Sequence, residues 1–436
     1  MSSLENLISL IEKKHLENLI YIQSEIIKKG KISYLIGGSV RDLAMGKIPK
    51  DFDLTTSMHP LDVKSLFKRV IDTGIKHGTV TILIGENSYE ITTFRKDQGY
   101  SDGRRPDNIE YGNTLEEDVL RRDFTINSIA LDLINHKLID IQNGMEDIKK
   151  KIIRTIGSPI ERFSEDGLRP IRCIRFMTTL DFTIENSTYL ALEKTKEITK
   201  KISTERFHDE LLKILSSLNP ERGIFELSKL GYFSLFWKLS MTENLYLDEN
   251  KNLGKLLINP ISVRLSYSLF VVLYNKNVDS KILVQILKNL KFSNEIIKFS
   301  TYYYNFIYKL LDSNFSKELK FNSSFTLRKL LSEFSIQTGE KVEINDYTNG
   351  LLSLSMIILN LNDFLIFKNE YFNTIKSDPS LTLKDLKISG MDIKENFPSI
   401  NNREYGNILK KCLSHIIEFP QHNDKLILIK FVNDII

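Results

Sequence analysis

Asp51 and Asp53 flank Phe52 in a KDFD segment, and Leu54 and Thr55 continue it as an extended-looking run. On a strand the two carboxylates would leave from one face. Adjacent anions repel unless a cation lies between them. Mg²⁺ suits the position, because it takes hard carboxylate oxygens together with substrate phosphates, and two such ions about 4 Å apart can clamp the attacking and leaving oxygens of a displacement at phosphorus. Just upstream, Gly37 and Gly38 follow an apolar run and precede Ser39 and a predicted helix through Val40, Arg41, Asp42 and Leu43. Glycines let backbone approach a phosphate, and a helix start offers free N–H groups to it. The same pair also reads as a tight strand-to-helix turn, and an isolated DxD also occurs in solvated loops. Their proximity supports metal-dependent phosphate chemistry. Glu90, in YEITTFR, is a candidate third carboxylate or else a strand-edge glutamate.

Further along, RRDFTINSIALD places Arg121, Arg122 and Asp123 together. Guanidinium forks suit triphosphate oxygens, and a carboxylate can accept from a ribose hydroxyl. An exposed ion-pair cluster is the plainer reading. In FSEDGLRPIRCIRF, Ser164 is predicted to N-cap a helix beginning with Glu165 and Asp166. Asp166 and Arg169 would then share a helix face. Cytosine and adenine present an exocyclic amine donor beside a ring-nitrogen acceptor, whereas uracil and guanine reverse that order. A carboxylate accepting from the amine, with an arginine donating to the ring nitrogen, would admit C and A and reject U and G. Pro170 would fall inside that helix and remove a hydrogen bond to Asp166.

These clusters need scaffolding. Tyr34 to Ile36, Phe52 to Thr55, Thr79 to Ile84 and Tyr89 to Phe94 read as strands, the last two as a hairpin across GENS. The N-terminal stretch reads as one helix ending near Gly30. From about residue 146 the period becomes helical, with helices predicted at 185–201, 204–217, 222–231, 260–275, 280–291 and 294–311, and breaks near SDPS and ISG. The aromatic run TYYYNFIYKLL could stack bases, but its helical spacing favours core. At 436 residues the chain exceeds one ordinary core. Its formal net charge of +4 is too small to announce nucleic acid, so any such contact must come from local patches. Cys173 and Cys412 form no disulfide or zinc pattern, which fits a reducing cytoplasm. No apolar run is long enough to span a bilayer, so no membrane role is expected.

In their order these motifs resemble the bacterial class II tRNA nucleotidyltransferases, the CCA-adding enzymes of the tRNA nucleotidyltransferase/poly(A) polymerase family. GGSVRDLAMGKIPKDFDLTT is similar to the metal and triphosphate motif, RRDFTINSIALD to the ribose motif, and FSEDGLRPIRCIRF to the amino-acid template for the incoming base. IQNGMEDIKKKIIRTIG resembles the hinge-like segment between them, and ISTERFHDELLKIL the motif that ends the neck. The resemblance implies an α+β, polymerase-β-like nucleotidyltransferase head followed by an all-helical neck, body and tail. Boundaries are expected at 1–30 for an N-terminal helix, 31–145 for the head, 146–220 for the neck, 221–330 for the body and 331–436 for a tRNA-binding tail. It implies addition of C, C and A to the tRNA 3′ end from CTP and ATP, with Mg²⁺ as cofactor and no DNA partner. Catalytic roles fall to Asp51, Asp53 and Glu90, with Asp51 and Asp53 as metal ligands. Nucleotide binding falls to Gly37, Gly38, Ser39, Arg41, Arg122, Asp123, Asn127, Glu165, Asp166, Arg169 and Arg172. KHGTVTIL and the DQGYSDGRRPD loop at 97–107 resemble the full CCA-adding form. The alternatives are a bacterial poly(A) polymerase and a non-catalytic RNA-binding protein with a decayed head.

Overall fold

The computed structural model describes residues 3–98, 108–237, 255–256, 259–273, 278–377 and 379–436. Most of the 97–107 loop therefore lies outside the described residues. The chain divides into two compact units, Met1–Ile214 with Lys229–Phe236 and Leu215–Ser228 with Trp237–Ile436.

The first unit is built on short strands rich in Val, Ile, Leu and Thr, residues that pack well on a pleated surface. They are β1 (Ser33–Ile36), β2 (Asp53–Thr56), β3 (Val70–Gly74), β4 (Thr79–Ile84), β5 (Asn87–Thr93), β6 (Arg95–Gln98), β7 (Asn108–Tyr111), β8 (Ala130–Asp132) and β9 (Lys137–Ile139). Seven form one sheet in the order β3-β4-β5-β2-β1-β8-β9, and β6 pairs with β7 alone. The predicted β4–β5 hairpin is present, turning at Gly85 with φ +60°. β2 lies at the middle of the sheet, antiparallel to β1 and parallel to β5, with Asp53 opposite Ile36 on one side and Glu90 on the other. Asp51 precedes β2 in a bend, so the expected strand alternation begins only at Phe52 and Asp53.

The N-terminal stretch is two helices, Ser3–Ile8 and Lys13–Lys28, rather than one. Glu12 is extended at the junction and Ile11 is buried there, so the break delivers Ile11 to the core. The second helix buries Leu19, Ile22, Gln23 and Ile26. Gln23 bridges both sides of β8's end, its amide donating to the Leu131 carbonyl at 3.4 Å and its oxygen accepting from the Leu133 amide at 3.0 Å.

The helix predicted to start at Ser164 is absent. One helix, Pro159–Glu165, ends there, and another, Arg169–Leu180, begins after Asp166, Gly167 and Leu168. Ser164 donates to the Ile160 carbonyl at 2.7 Å and caps nothing. Two contacts account for the break. A Cβ on Gly167 would lie 2.5 Å from the Ile198 carbonyl oxygen, and Thr199 Oγ1 donates to the Gly167 carbonyl at 2.9 Å. Pro170 consequently sits in the first turn of a new helix, where its missing N–H has no partner to lose. Asp166 and Arg169 therefore do not share a helix face.

Beyond this point the protein is mostly helical. β10 (Ile152–Ile153) and β11 (Thr183–Ile184) form a two-stranded parallel exception. In the second unit the aromatic run belongs to helix Asn294–Leu311, where Tyr302, Tyr303, Tyr304, Phe306 and Ile307 are buried, so it is core. Phe299 stacks on Tyr347 at 4.0 Å between ring centroids, and Tyr303 donates to the Tyr347 carbonyl at 2.6 Å. The expected breaks fall between helix Leu361–Lys376 and helix Gly390–Asn396. A separate cluster near the C-terminus packs Ile393, Ile408, Cys412, Ile416, Leu428 and Val432. Among the described residues no helix is long and apolar enough to cross a membrane.

Candidate active site

Asp53 opens β2 in register with Glu90 on β5, and in-register neighbours on adjacent strands project to one face. Phe52 and Tyr89, one residue earlier on each segment, are buried on the other side. Asp51 and Asp53 are both exposed. The Asp53 carboxyl is held above its ordinary range, first by desolvation and then by the negative charge of Glu90, with Asp51 adding to this and Arg122 opposing it. A divalent cation would relieve that repulsion, and the hard oxygen donors present suit Mg²⁺. Among the described residues no three His, Cys, Asp or Glu side chains form a complete metal cage. An ion here would need oxygens from elsewhere, as a phosphate-bearing substrate supplies.

Gly37 joins β1 to helix Gly38–Ala44 with φ +82°, a conformation that favours glycine. A Cβ there would lie 3.5 Å from Arg122 Nη1 and 4.0 Å from Asp53 Oδ2, so this backbone sits between the two groups. Ser39 is buried and donates to the Ile36 carbonyl at 3.2 Å, a lock on the turn. Arg41, also buried, grips Asp42 Oδ1 through Nε at 2.9 Å and Nη2 at 2.8 Å, and donates from Nη1 to Asn127 Oδ1 at 2.7 Å. The chain of bonds continues from Asn127 Nδ2 to Asp123 Oδ1 at 3.1 Å, and Arg172 closes on Asp123 Oδ2 through Nε at 2.8 Å and Nη2 at 2.7 Å. Burial alone would push the Asp123 carboxyl up, but Arg172, Asn127 and Arg169 outweigh it and hold the group well below the carboxylate range.

Arg121, Arg122, Asp123, Asp166, Arg169 and Arg172, with Leu168 and Arg206, wall a cavity of about 230 Å³. Arg169 donates from Nη1 to the Arg162 carbonyl at 2.8 Å and to Glu165, and from Nη2 to the Arg121 carbonyl at 2.9 Å. Arg162 donates to the same Glu165 oxygen, Oε2, at 2.7 Å. Asp166 takes Arg206 in a two-pronged pair at 3.0 and 2.8 Å and accepts from the Leu168 amide at 3.0 Å. A concave pocket with several arginines and two carboxylates can receive a polyanion and a polar base edge.

The structure thus gathers Arg122, Asp123, Asp166, Arg169 and Arg172 around one cavity, with Asp53 near Arg122 across Gly37 and Glu90 in register beside Asp53. Arg41, Asn127 and Glu165 stand behind as partners of that wall, while Ser39 locks the Gly37 turn and hydrogen-bonds to none of these side chains. Two residues escaped the sequence reading. Asp118, fully buried, holds Arg121 Nη2 at 2.5 Å and Arg122 Nη2 at 3.0 Å. Its spacing of three and four residues before the arginines, which follow directly on helix Leu115–Leu120, was the available signal. Arg206 sits forty positions from Asp166 in sequence, and no local pattern announces a pair at that distance. Phe176 adds a third feature, with the Arg41, Arg172 and Arg175 guanidinium carbons 5.2, 5.4 and 3.8 Å from its ring centre.

Comparison with known proteins adds an independent line. Residues 33–154 match the Poly A polymerase head domain, and residues 181–238 match the probable RNA and SrmB-binding site of polymerase A. The CCA-adding enzyme of Ligilactobacillus salivarius is 34% identical over 94% of this chain and 94% of its own length. That of Lactobacillus helveticus is 50% identical over 42% of this chain and 45% of its own length. Among solved structures, the Bacillus stearothermophilus CCA-adding enzyme in complex with CTP aligns with TM-score 0.72 and 24% identity over 97% of this chain and 98% of that one. The Thermotoga maritima CCA-adding enzyme complexed with tRNA-CCA aligns with TM-score 0.69 and 20% identity over 99% and 98%. These last two likenesses speak for the fold. Motif order, sheet, arginine-walled cavity and an identity that runs almost end to end agree, and the chain belongs to the CCA-adding enzyme family.

Proposed function

We propose that this protein is a nucleotidyltransferase that adds C, C and A to the 3′ end of tRNA from CTP and ATP, releasing pyrophosphate at each step. Relatives named CCA-adding enzymes support the activity, and solved members of that family contain CTP, ATP and tRNA. The observation that carries the assignment in this chain is the closeness of Asp53, in register with Glu90, to Arg122 of the arginine-walled cavity.

In each addition the terminal 3′-OH forms a bond to the α-phosphorus while the α–β bridging bond breaks, so pyrophosphate leaves with its electron pair and the hydroxyl proton passes to solvent. The family is generally metal-dependent, and Asp51 and Asp53 are the residues that would hold Mg²⁺, with Glu90 beside them. When bound, Mg²⁺ favours deprotonation of the attacking hydroxyl and neutralises triphosphate charge. Arg122, braced by Asp118, offers guanidinium N–H groups toward the triphosphate. The Gly37 backbone leaves it room. Asp123, kept ionised by Arg172, is the acceptor for a ribose hydroxyl. Asp166 and Arg169 are the acceptor and donor for the base edge. Their protein partners fix both groups in position, so base choice rests on preset polarity. The two buried, unpaired cysteines support a cytoplasmic setting.

Incubation with a tRNA lacking its 3′ CCA and labelled CTP and ATP, resolved to single nucleotides, tests the assignment. C, C and A followed by a stop is expected. A long A tail would make the protein a poly(A) polymerase, and no incorporation would make it a binding protein.

A further inference from the structure

We propose that His15 and Asn18, on the N-terminal helix Lys13–Lys28, are positioning residues that set the spacing of Asp53 and Glu90 at the proposed metal site from behind the sheet, through Phe52 and Tyr89. The inference rests on the metal-site reading above. Asp53 and Glu90 are register partners, and each is preceded by a large ring buried on the opposite face, Phe52 and Tyr89. One histidine touches both rings. The His15 ring centre lies 4.9 Å from that of Phe52 and 5.9 Å from that of Tyr89, edge-on to the latter at 73°. His15 Nδ1 is also 2.9 Å from the Tyr89 hydroxyl, and Asn18 Nδ2 donates to the same hydroxyl at 2.9 Å.

His15 and Asn18 are three apart, so one helix face presents both. That helix is itself fixed, since Leu19, Ile22, Gln23 and Ile26 are fully buried and Gln23 spans β8's end with two hydrogen bonds. Tyr89 is completely covered, and a buried hydroxyl without partners is unfavourable, which ties β5 to the helix rather than leaving it to slide against β2. The matched head-domain segment begins at residue 33, so this brace comes from outside it. Loss of a group that orients a metal ligand typically weakens metal affinity or activity about 10- to 100-fold.

The test uses the full chain and Mn²⁺ as probe, with bound ion measured by the loss of the free-ion paramagnetic signal, beside thermal midpoint and steady-state constants. Tyr89→Phe keeps the ring and removes both hydrogen bonds, His15→Phe keeps the ring contact alone, and His15→Asn keeps the hydrogen-bonding nitrogen alone. About tenfold weaker Mn²⁺ binding is expected for Tyr89→Phe. kcat for C and A addition should fall together, the KM for CTP at saturating metal should be unchanged, and His15→Asn should recover more affinity than His15→Phe. A lowered thermal midpoint with wild-type Mn²⁺ affinity in Tyr89→Phe would overturn the inference and leave a merely structural contact. If a His15 variant does not fold, Tyr89→Phe decides. Asp53→Asn separates the two readings: if it retains wild-type Mn²⁺ binding, the metal site itself is misplaced, whereas if it loses binding while Tyr89→Phe does not, only the brace falls.

Discussion

Asp118 is the residue on which the arginine wall depends most. Burial would raise its pKa, but Arg121 and Arg122 reverse the effect and hold it below the ordinary value. For a carboxyl depressed in the folded state, the stabilisation is fully present above the unfolded pKa of about 4 and is lost as pH falls through the lower folded value. Denaturation midpoints should therefore be nearly flat from about pH 7 to 5 and fall below about pH 4. Asp118→Ala should remove about 3 kcal/mol or more at neutral pH, since it leaves two guanidinium groups without their buried partner. A urea titration of both proteins checks this, and an unchanged midpoint would mean that the pair contributes nothing net. Asp53 runs the other way. Its raised pKa means that its contribution is present below the ordinary value and is lost as pH rises through the folded one. A divalent ion must displace any proton there, so Mg²⁺ binding should release more protons near pH 5 than near pH 7, read by titration calorimetry in buffers of different ionisation enthalpy. Equal release at both values would place the ion elsewhere. The sequence reading found Asp53 through its repeat but passed over Asp118, whose function is to hold its neighbours.

At the scale of elements, the β4–β5 hairpin was legible because its turn signal and alternation are local. The break between helix Pro159–Glu165 and helix Arg169–Leu180 was not, since its cause is the approach of Gly167 to the Ile198 carbonyl from a distant segment. Pro170 held the clue, because proline is at home in a first helical turn. Gly167→Ala should force that approach open and destabilise by about 1–3 kcal/mol. The break also bears on the proposed base selection: Asp166 is oriented by Arg206 and Arg169 by Glu165, so the proposed acceptor and donor are set independently. Arg169→Ala should weaken rejection of UTP and GTP, and Asp166→Asn should do so more, because an amide can present either polarity. Single-nucleotide incorporation of each NTP onto a tRNA lacking its 3′ CCA should show selectivity changes on the order of ten- to a hundredfold. Full preference for CTP with only a lower rate in both variants would reduce these residues to an ion-pair motif.

Across the whole molecule, helical periodicity placed helices Thr204–Leu215, Ser280–Asn289 and Asn294–Leu311, but the single helix expected at 185–201 is two, Asn186–Lys194 and Lys196–Thr199, and beyond residue 311 it indicated helix without placing the elements. Sheet order was not readable, because the parallel β2–β5 pairing that brings Glu90 to Asp53 joins strands separated by two others in sequence. We propose that the loop at 97–107, most of it outside the described residues, helps one site make two kinds of addition. Shortening it should impair A addition more than CC addition, and equal loss of both would remove that role. One site is proposed to perform all three additions. This is tested most directly by full-length Asp53→Ala on two substrates, a tRNA lacking all of CCA and a tRNA lacking only the final A, each supplied with labelled CTP, ATP and Mg²⁺. C incorporation on the first and A incorporation on the second should both be abolished, while near wild-type incorporation on either would place that addition at another site.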